Sequence, residues 1–245
     1  MKIFGAICFA GLLTISASAG VIYDNTAETV TSRDPAYGNN ANFTPYGPLY
    51  NQFETGTNGT GYFQLSSLSM MLQNCDTTGN VGTGNLDCGG LAGGSGATIA
   101  LYGDNSNTPG GFIASLGTVN DSQLTTTPGL FSVSLANNPI LNASTQYWIG
   151  LTGNDANTTV SWNWDSTCNG TEASNGTPAC TGPGTGVYDE YASNATGAYS
   201  SAFGPYMMNV QGTDYTPSGA PEPVTSVLLG TGAVLIGLFR RKLIS

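Results

Sequence analysis

Fourteen carboxylates lie between Gly20 and Ala220, and no histidine occurs anywhere in the 245-residue chain. That combination narrows the available chemistry. Without imidazole there is no Ser-His-Asp triad, no histidine metal ligand and no histidine acid–base pair. The same span has no lysine, which removes Schiff-base catalysis, and it carries no P-loop or dinucleotide fingerprint. A carboxylate pair of the glycosidase kind remains. Asp189-Glu190 is the most visible pair, but neighbours on a strand point to opposite faces, so a solvated acidic turn is the plainer reading. Asp76 and Asp87, beside cysteines, read as loop residues.

Two further sets of side chains invite a binding role. Asp104-Asn105-Ser106-Asn107 offers the oxygen ligands calcium prefers. It lacks the later ligands of an EF-hand, and Asx-rich turns form without metal, so no metal or other cofactor is expected. Trp148, Trp162 and Trp164 could stack on a sugar. Trp162 and Trp164 share a face with Val160 and fit a core. Trp148 points away from Tyr147 and Ile149, which makes it the candidate carbohydrate platform, although burial under a loop is the favoured reading.

Cys75, Cys88, Cys168 and Cys180 form two local pairs. In an exported chain an even count reads as disulfides. Four cysteines allow three connectivities, and proximity favours Cys75–Cys88 and Cys168–Cys180. Zinc is the rival reading, but there is neither C-x-x-C spacing nor a histidine.

These groups need a scaffold, and the periodicity that would build one is two. Phe131, Val133 and Leu135 alternate with Ser132 and Ser134; Val160, Trp162 and Trp164 with Ser161 and Asn163; Tyr147, Ile149 and Leu151 with Trp148 and Gly150; Tyr206, Met208 and Val210 with Met207 and Asn209. Leu68, Met70 and Leu72 follow a phase break at Ser66-Ser67 that reads as a bulge. Ile99 and Leu101 mark another strand, and Phe112, Ala114 and Leu116 the next, joined by a type II turn over Thr108-Pro109-Gly110-Gly111. Two stretches, 76–96 and 165–205, resist assignment, the second with a short hairpin expected around Val187-Tyr188. The expectation is an all-β fold, an antiparallel β-sandwich of jelly-roll type, over residues 20–213, with a linker at 214–220.

Both ends read as processing signals. Lys2, the apolar run Ile3 to Ile15 and Ala17-Ser18-Ala19 make a secretory signal peptide over residues 1–19. Between Gly20 and Ala220 one basic residue, Arg33, stands against fourteen acidic ones, a net charge of −13. Such a surface repels nucleic acid and anionic lipid. The triplets N-x-S/T beginning at Asn42, Asn58, Asn120, Asn142, Asn157, Asn169, Asn175 and Asn194 make glycan attachment feasible and say no more.

Residues 221–245 carry Pro221-Glu222-Pro223, an apolar run from Val224 to Phe239, and Arg240-Arg241-Lys242. In this order the three elements closely resemble the PEP-CTERM sorting signal of Gram-negative bacteria. The resemblance implies recognition by an exosortase near the triplet and association with exopolysaccharide-producing bacteria. The physics agrees. Residues 224–239 as a helix span about 24 Å, short of a bilayer core of roughly 30 Å, and the arginines can snorkel across part of the deficit. The basic tail holds the C-terminus inside. The expected itinerary is export across the inner membrane, anchoring there by one transmembrane helix, then transfer to the cell surface or matrix. An ordinary uncut anchor is the alternative.

The body is similar to the "choice-of-anchor" exported domains that carry such tails. The likeness rests on Gly47-Pro48-Leu49-Tyr50-Asn51-Gln52-Phe53, Leu101-Tyr102-Gly103-Asp104-Asn105 with Pro109-Gly110, and Thr145-Gln146-Tyr147-Trp148-Ile149. It implies no activity. The reading is therefore a non-enzymatic surface or matrix protein associated with extracellular polysaccharide. A carbohydrate-binding module using Trp148, a two-carboxylate hydrolase and an ice-binding protein are the alternatives; the last would need more than Thr29-Val30-Thr31.

Overall fold

The computed structural model describes residues 19–36, 48–75, 93–155, 157–164, 190–193, 199–200 and 205–217. Thirteen strands and one short 3-10 helix occur among them, and every strand pairing there is antiparallel. The described residues from 19 to 214 belong to one compact unit. The strands are β1 (Gly20–Asp24), β2 (Ser32–Pro35), β3 (Leu49–Glu54), β4 (Tyr62–Asn74), β5 (Ala97–Asp104), β6 (Pro109–Val119), β7 (Gly129–Ser132), β8 (Ile140–Asn142), β9 (Gln146–Gly153), β10 (Val160–Trp164), β11 (Glu190–Ser193), β12 (Tyr199–Ser200) and β13 (Met208–Asp214).

One sheet runs β1-β13-β4-β10-β2, with β7 and β8 also paired to β4; the other runs β12-β11-β3-β9-β5-β6. A single apolar cluster joins them. Leu65, Leu68, Met70, Trp162 and Val210 enter it from the first sheet, and Leu49, Phe53, Ile99, Leu101, Ile149 and Leu151 from the second. This is the all-β arrangement the alternation predicts, and it is consistent with a β-sandwich. Burial of each large apolar side chain contributes about 1.5–3 kcal/mol.

The phase break in β4 is a bulge. Gly212 faces Leu65 and Gln211 faces Ser67, so Ser66 is the extra residue. It lets Phe63 and Leu65, on odd positions, and Leu68, Met70 and Leu72, on even ones, all enter the core. Val133 is likewise buried while Ser132 and Ser134 are exposed, although β7 itself ends at Ser132.

Three expectations need correction. The connection before β6 is Asn105-Ser106-Asn107-Thr108, where Ser106 (φ 56°) and Asn107 (φ 62°) are both left-handed. That is the signature of a two-residue hairpin turn, whose twist matches the flanking strands; Pro109-Gly110 instead begins β6. Phe112 is not core: it is 63% exposed, because an extra residue, Ile113, shifts the register between the Leu101–Ala114 and Tyr102–Phe112 pairs. Ser161 and Asn163 are buried rather than wetted. Asn163 Nδ2 donates to the Met71 carbonyl at 3.0 Å, so both faces of β10 are covered.

The hairpin expected near Val187-Tyr188 occurs slightly later, as β11 paired with β12. Among the described residues no helix is long and apolar enough to cross a membrane. Residues 1–18 and 218–245, which carry the signal-peptide and anchor expectations, lie outside the described residues.

Candidate functional site

At one rim of the second sheet, β3 and β5 end and β9 begins. A groove of about 670 Å³ opens there. Strand register sets its polar row. Glu54 is paired with Gln146, and extending the β5–β9 register one residue beyond Gly103–Tyr147 places Asp104 across from Gln146 on the other side. Two strand spacings separate the backbones of Glu54 and Asp104 by about 10 Å. Gly103 and Ile113 line the groove too, with Asn142, Ser144 and Thr145 from the turn before β9.

That turn is held from below. The Thr55 hydroxyl donates to the Asn142 carbonyl at 2.6 Å and accepts from the Thr145 N–H at 3.0 Å. The Tyr147 hydroxyl accepts from the Asn142 N–H at 2.9 Å. Burial pushes the Tyr147 phenol above its ordinary pKa, partly opposed by that N–H. Ser144 sits at φ 49°, a left-handed conformation that the surrounding bonds enforce.

The outer face behind the rim is aromatic. Tyr50 and Tyr102 meet edge to face at 5.3 Å, and Tyr102 and Phe112 at 5.9 Å. Gly150 lies beneath the first pair: a Cβ there would come within 2.7 Å of Tyr102 and 2.8 Å of Tyr50.

Trp148 is not a surface platform. It is fully buried, and its Nε1 donates to Asp104 Oδ1 at 2.8 Å. Gln52 Nε2 donates to the same oxygen at 2.9 Å. The alternation puts Trp148 on the outer face correctly, but that face is covered at this position. Asp104 Oδ1 serves Trp148 and Gln52, Oδ2 accepts from the Asn107 N–H at 3.3 Å, and the Asp-Asn-Ser-Asn run is a hairpin turn.

Trp162 is core, stacked on Tyr206 at 4.8 Å, and Trp164 packs partly buried against that core. Cys75 is buried at the end of β4, where its sulfur accepts from the Ser161 hydroxyl at 3.2 Å. Its expected partner Cys88, the pair Cys168 and Cys180, the carboxylates Asp76, Asp87 and Asp189, and the tail residues Pro221, Glu222, Pro223, Arg240, Arg241 and Lys242 lie outside the described residues. Glu190 begins β11, opposite Asn51.

Two aspartates that the sequence does not mark hold the chain at Gly94 and Ser95. Asp121 is buried and accepts from the Gly94 N–H, the Thr158 hydroxyl (3.0 Å) and the Thr159 N–H (3.2 Å). Asp155 accepts from the Ser95 hydroxyl at 2.6 Å and the Ser95 N–H at 2.7 Å. These donors hold its carboxyl below the ordinary carboxylate value. Both are structural anchors. Glu54, Gln146 and Phe112 also escape sequence reading, since their meeting depends on strand order. Among the described residues no three of His, Cys, Asp and Glu cluster.

No protein-family model, curated protein or solved structure matches this chain.

Proposed function

We propose that the chain is an exported, non-enzymatic cell-surface or matrix protein. It is sorted through Pro221-Glu222-Pro223, anchored at first in the inner membrane by residues 224–239, handed on by an exosortase, and retained with extracellular polysaccharide. The signal peptide, the jelly-roll connectivity and the disulfides belong to the same reading. The order triplet, apolar run, basic cluster carries the sorting part. The observation that best supports a non-enzymatic body is the state of Asp104, whose carboxylate is committed to Trp148, Gln52 and its own turn. Fractionation of an exosortase-bearing host with an antibody to the body tests the sorting. Pro221, Glu222 and Pro223 changed together to Ala should leave a membrane-held form about 2–3 kDa heavier than the mature protein, the mass of a tail the length of residues 221–245 in a chain of 25.1 kDa and 245 residues. Normal maturation of that variant overturns the reading.

One observation favours a second reading, a hydrolase: Glu54 and Asp104 line the same groove, and a two-carboxylate hydrolase needs its carboxyl groups roughly 5–10 Å apart. Release of reducing sugar by the wild type, abolished in Glu54→Gln, would establish it.

A further inference from the structure

We infer that the rim groove is a binding site for an uncharged oligosaccharide, with Ile113 in its wall and the exposed ring of Phe112, the next residue, as its apolar platform in place of the buried Trp148. This deepens the extracellular reading by naming a ligand class, yet the groove's chemistry does not depend on how the chain is sorted.

Four observations converge. First, the lining suits hydroxyl groups. Glu54 supplies carboxylate acceptors, Asp104 Oδ2 keeps a lone pair beyond its bond from the Asn107 N–H, the Gln146 amide supplies both donor and acceptor, and Ser144 and Thr145 add hydroxyls. A sugar offers vicinal hydroxyls that both donate and accept, so this mixed set can be satisfied where a purely apolar ligand would strand it.

Second, large apolar surface lies beside this row. Phe112 is 63% exposed and Ile113 42%, and Ile113 belongs to the groove itself. The Phe112 ring is steadied by its edge-to-face contact with Tyr102. The negative face of an aromatic ring attracts partly positive C–H groups, which is what the apolar face of a pyranose presents. The bulge at Ile113 turns both side chains outward, and bulges are a common device for re-aiming side chains next to sites.

Third, charge selects the ligand. The lining carries two carboxylates and no cation, and the body's one basic residue is Arg33. A uronate or sulfated glycan would meet repulsion with nothing to offset it.

Fourth, the groove is built before any ligand arrives. Thr55 and Tyr147 pin the 142–145 turn from beneath, and Trp148 and Gln52 fix the Asp104 carboxylate. A preformed site lowers the ordering cost of binding.

The test is titration calorimetry on the full chain in a non-glycosidic detergent. The probes are cellohexaose, xylohexaose, maltohexaose and an alginate hexamer. At least one neutral hexamer should bind, the uronate should not, and EDTA should change nothing. Phe112→Ala should weaken binding about tenfold, the factor that roughly 1.4 kcal/mol represents, with only a small fall in melting temperature from the lost edge contact with Tyr102. Gln146→Ala should weaken it comparably. Failure of all three neutral hexamers at 10 mM overturns the proposal, as does equal binding of the uronate, dependence on calcium, or indifference to Phe112→Ala. None of these outcomes touches the fractionation test of sorting.

Discussion

The indole Nε1 of Trp148 and Oδ1 of Asp104 are 2.8 Å apart across the second sheet. Gln52 donates to the same oxygen, and both donors belong to fully buried side chains. The carboxylate therefore satisfies two N–H groups that water cannot reach.

Removing that acceptor should cost stability. Asp104→Ala orphans both donors, and each buried unpaired donor costs roughly 1–3 kcal/mol. Asp104→Asn keeps an oxygen in place and should cost distinctly less. Urea unfolding reads both, as midpoint shifts at constant slope. Equal losses for the two variants would show that the indole and the amide do not depend on this oxygen.

Gly150 should tolerate no side chain. Its Cβ would overlap Tyr102 and Tyr50 at 2.7 and 2.8 Å, so Gly150→Ala forces one ring aside at about 1–3 kcal/mol. Tyr102 is only partly buried, whereas Tyr50 is buried, so the Tyr102 ring is the one that yields. Tyr102→Ala should therefore cost less in the Gly150→Ala background than in the wild type. An additive double-mutant cycle would contradict the overlap.

Alternation around β7 gives a paired prediction. Val133 is 7% exposed and inside the core cluster, whereas Ser132 is exposed and faces Ser69 at 3.3 Å. Val133→Asp buries a carboxylate among apolar groups and should cost about 3–5 kcal/mol, enough to unfold a marginal domain. Ser132→Asp should shift stability by less than about 0.5 kcal/mol. Melting curves that fall together would mean the register is wrong.

The fold class was legible because side-chain alternation is a local signal. Leu68, Met70 and Leu72 name their face, and the phase break names the bulge at Ser66. The site was not legible, because its parts meet through strand order. Glu54, Gln146 and Asp104 come from β3, β9 and β5, and nothing near any of them records the other two. Trp148 shows the limit most directly. Alternation placed it on the outer face, yet exposure depends on what covers that face. Phe112 failed in the opposite sense: one extra residue at Ile113 changed its side, and no Gly or Pro lies beside Ile113 to announce the bulge.

Residues on either side of 76–92 bear on the cysteine pairing. The chain leaves β4 at Cys75, whose N–H donates to the Thr159 carbonyl at 2.8 Å. It returns at Gly94, whose N–H donates to Asp121, and the same Asp121 oxygen accepts from the Thr159 N–H. Cys75 is thus bonded to Thr159 directly, and Gly94 is linked to it through Asp121. Each pair is close in sequence, Cys75 with Cys88 and Cys168 with Cys180, so Cys75 should pair with Cys88, and Cys168 with Cys180. Peptide mapping without reductant should recover these two linkages. The first should stabilise the fold by about 3 kcal/mol, chiefly by restricting the unfolded chain. Because Thr159 and Asp121 hold the loop's ends independently, Cys88→Ser should lower the melting temperature without loosening the Gly94–Asp121 contact, which amide exchange at Gly94 reports. Recovery of a Cys75–Cys168 peptide would refute the local pairing. Fast exchange at Gly94 in Cys88→Ser would show that the bridge, rather than Asp121, holds the loop.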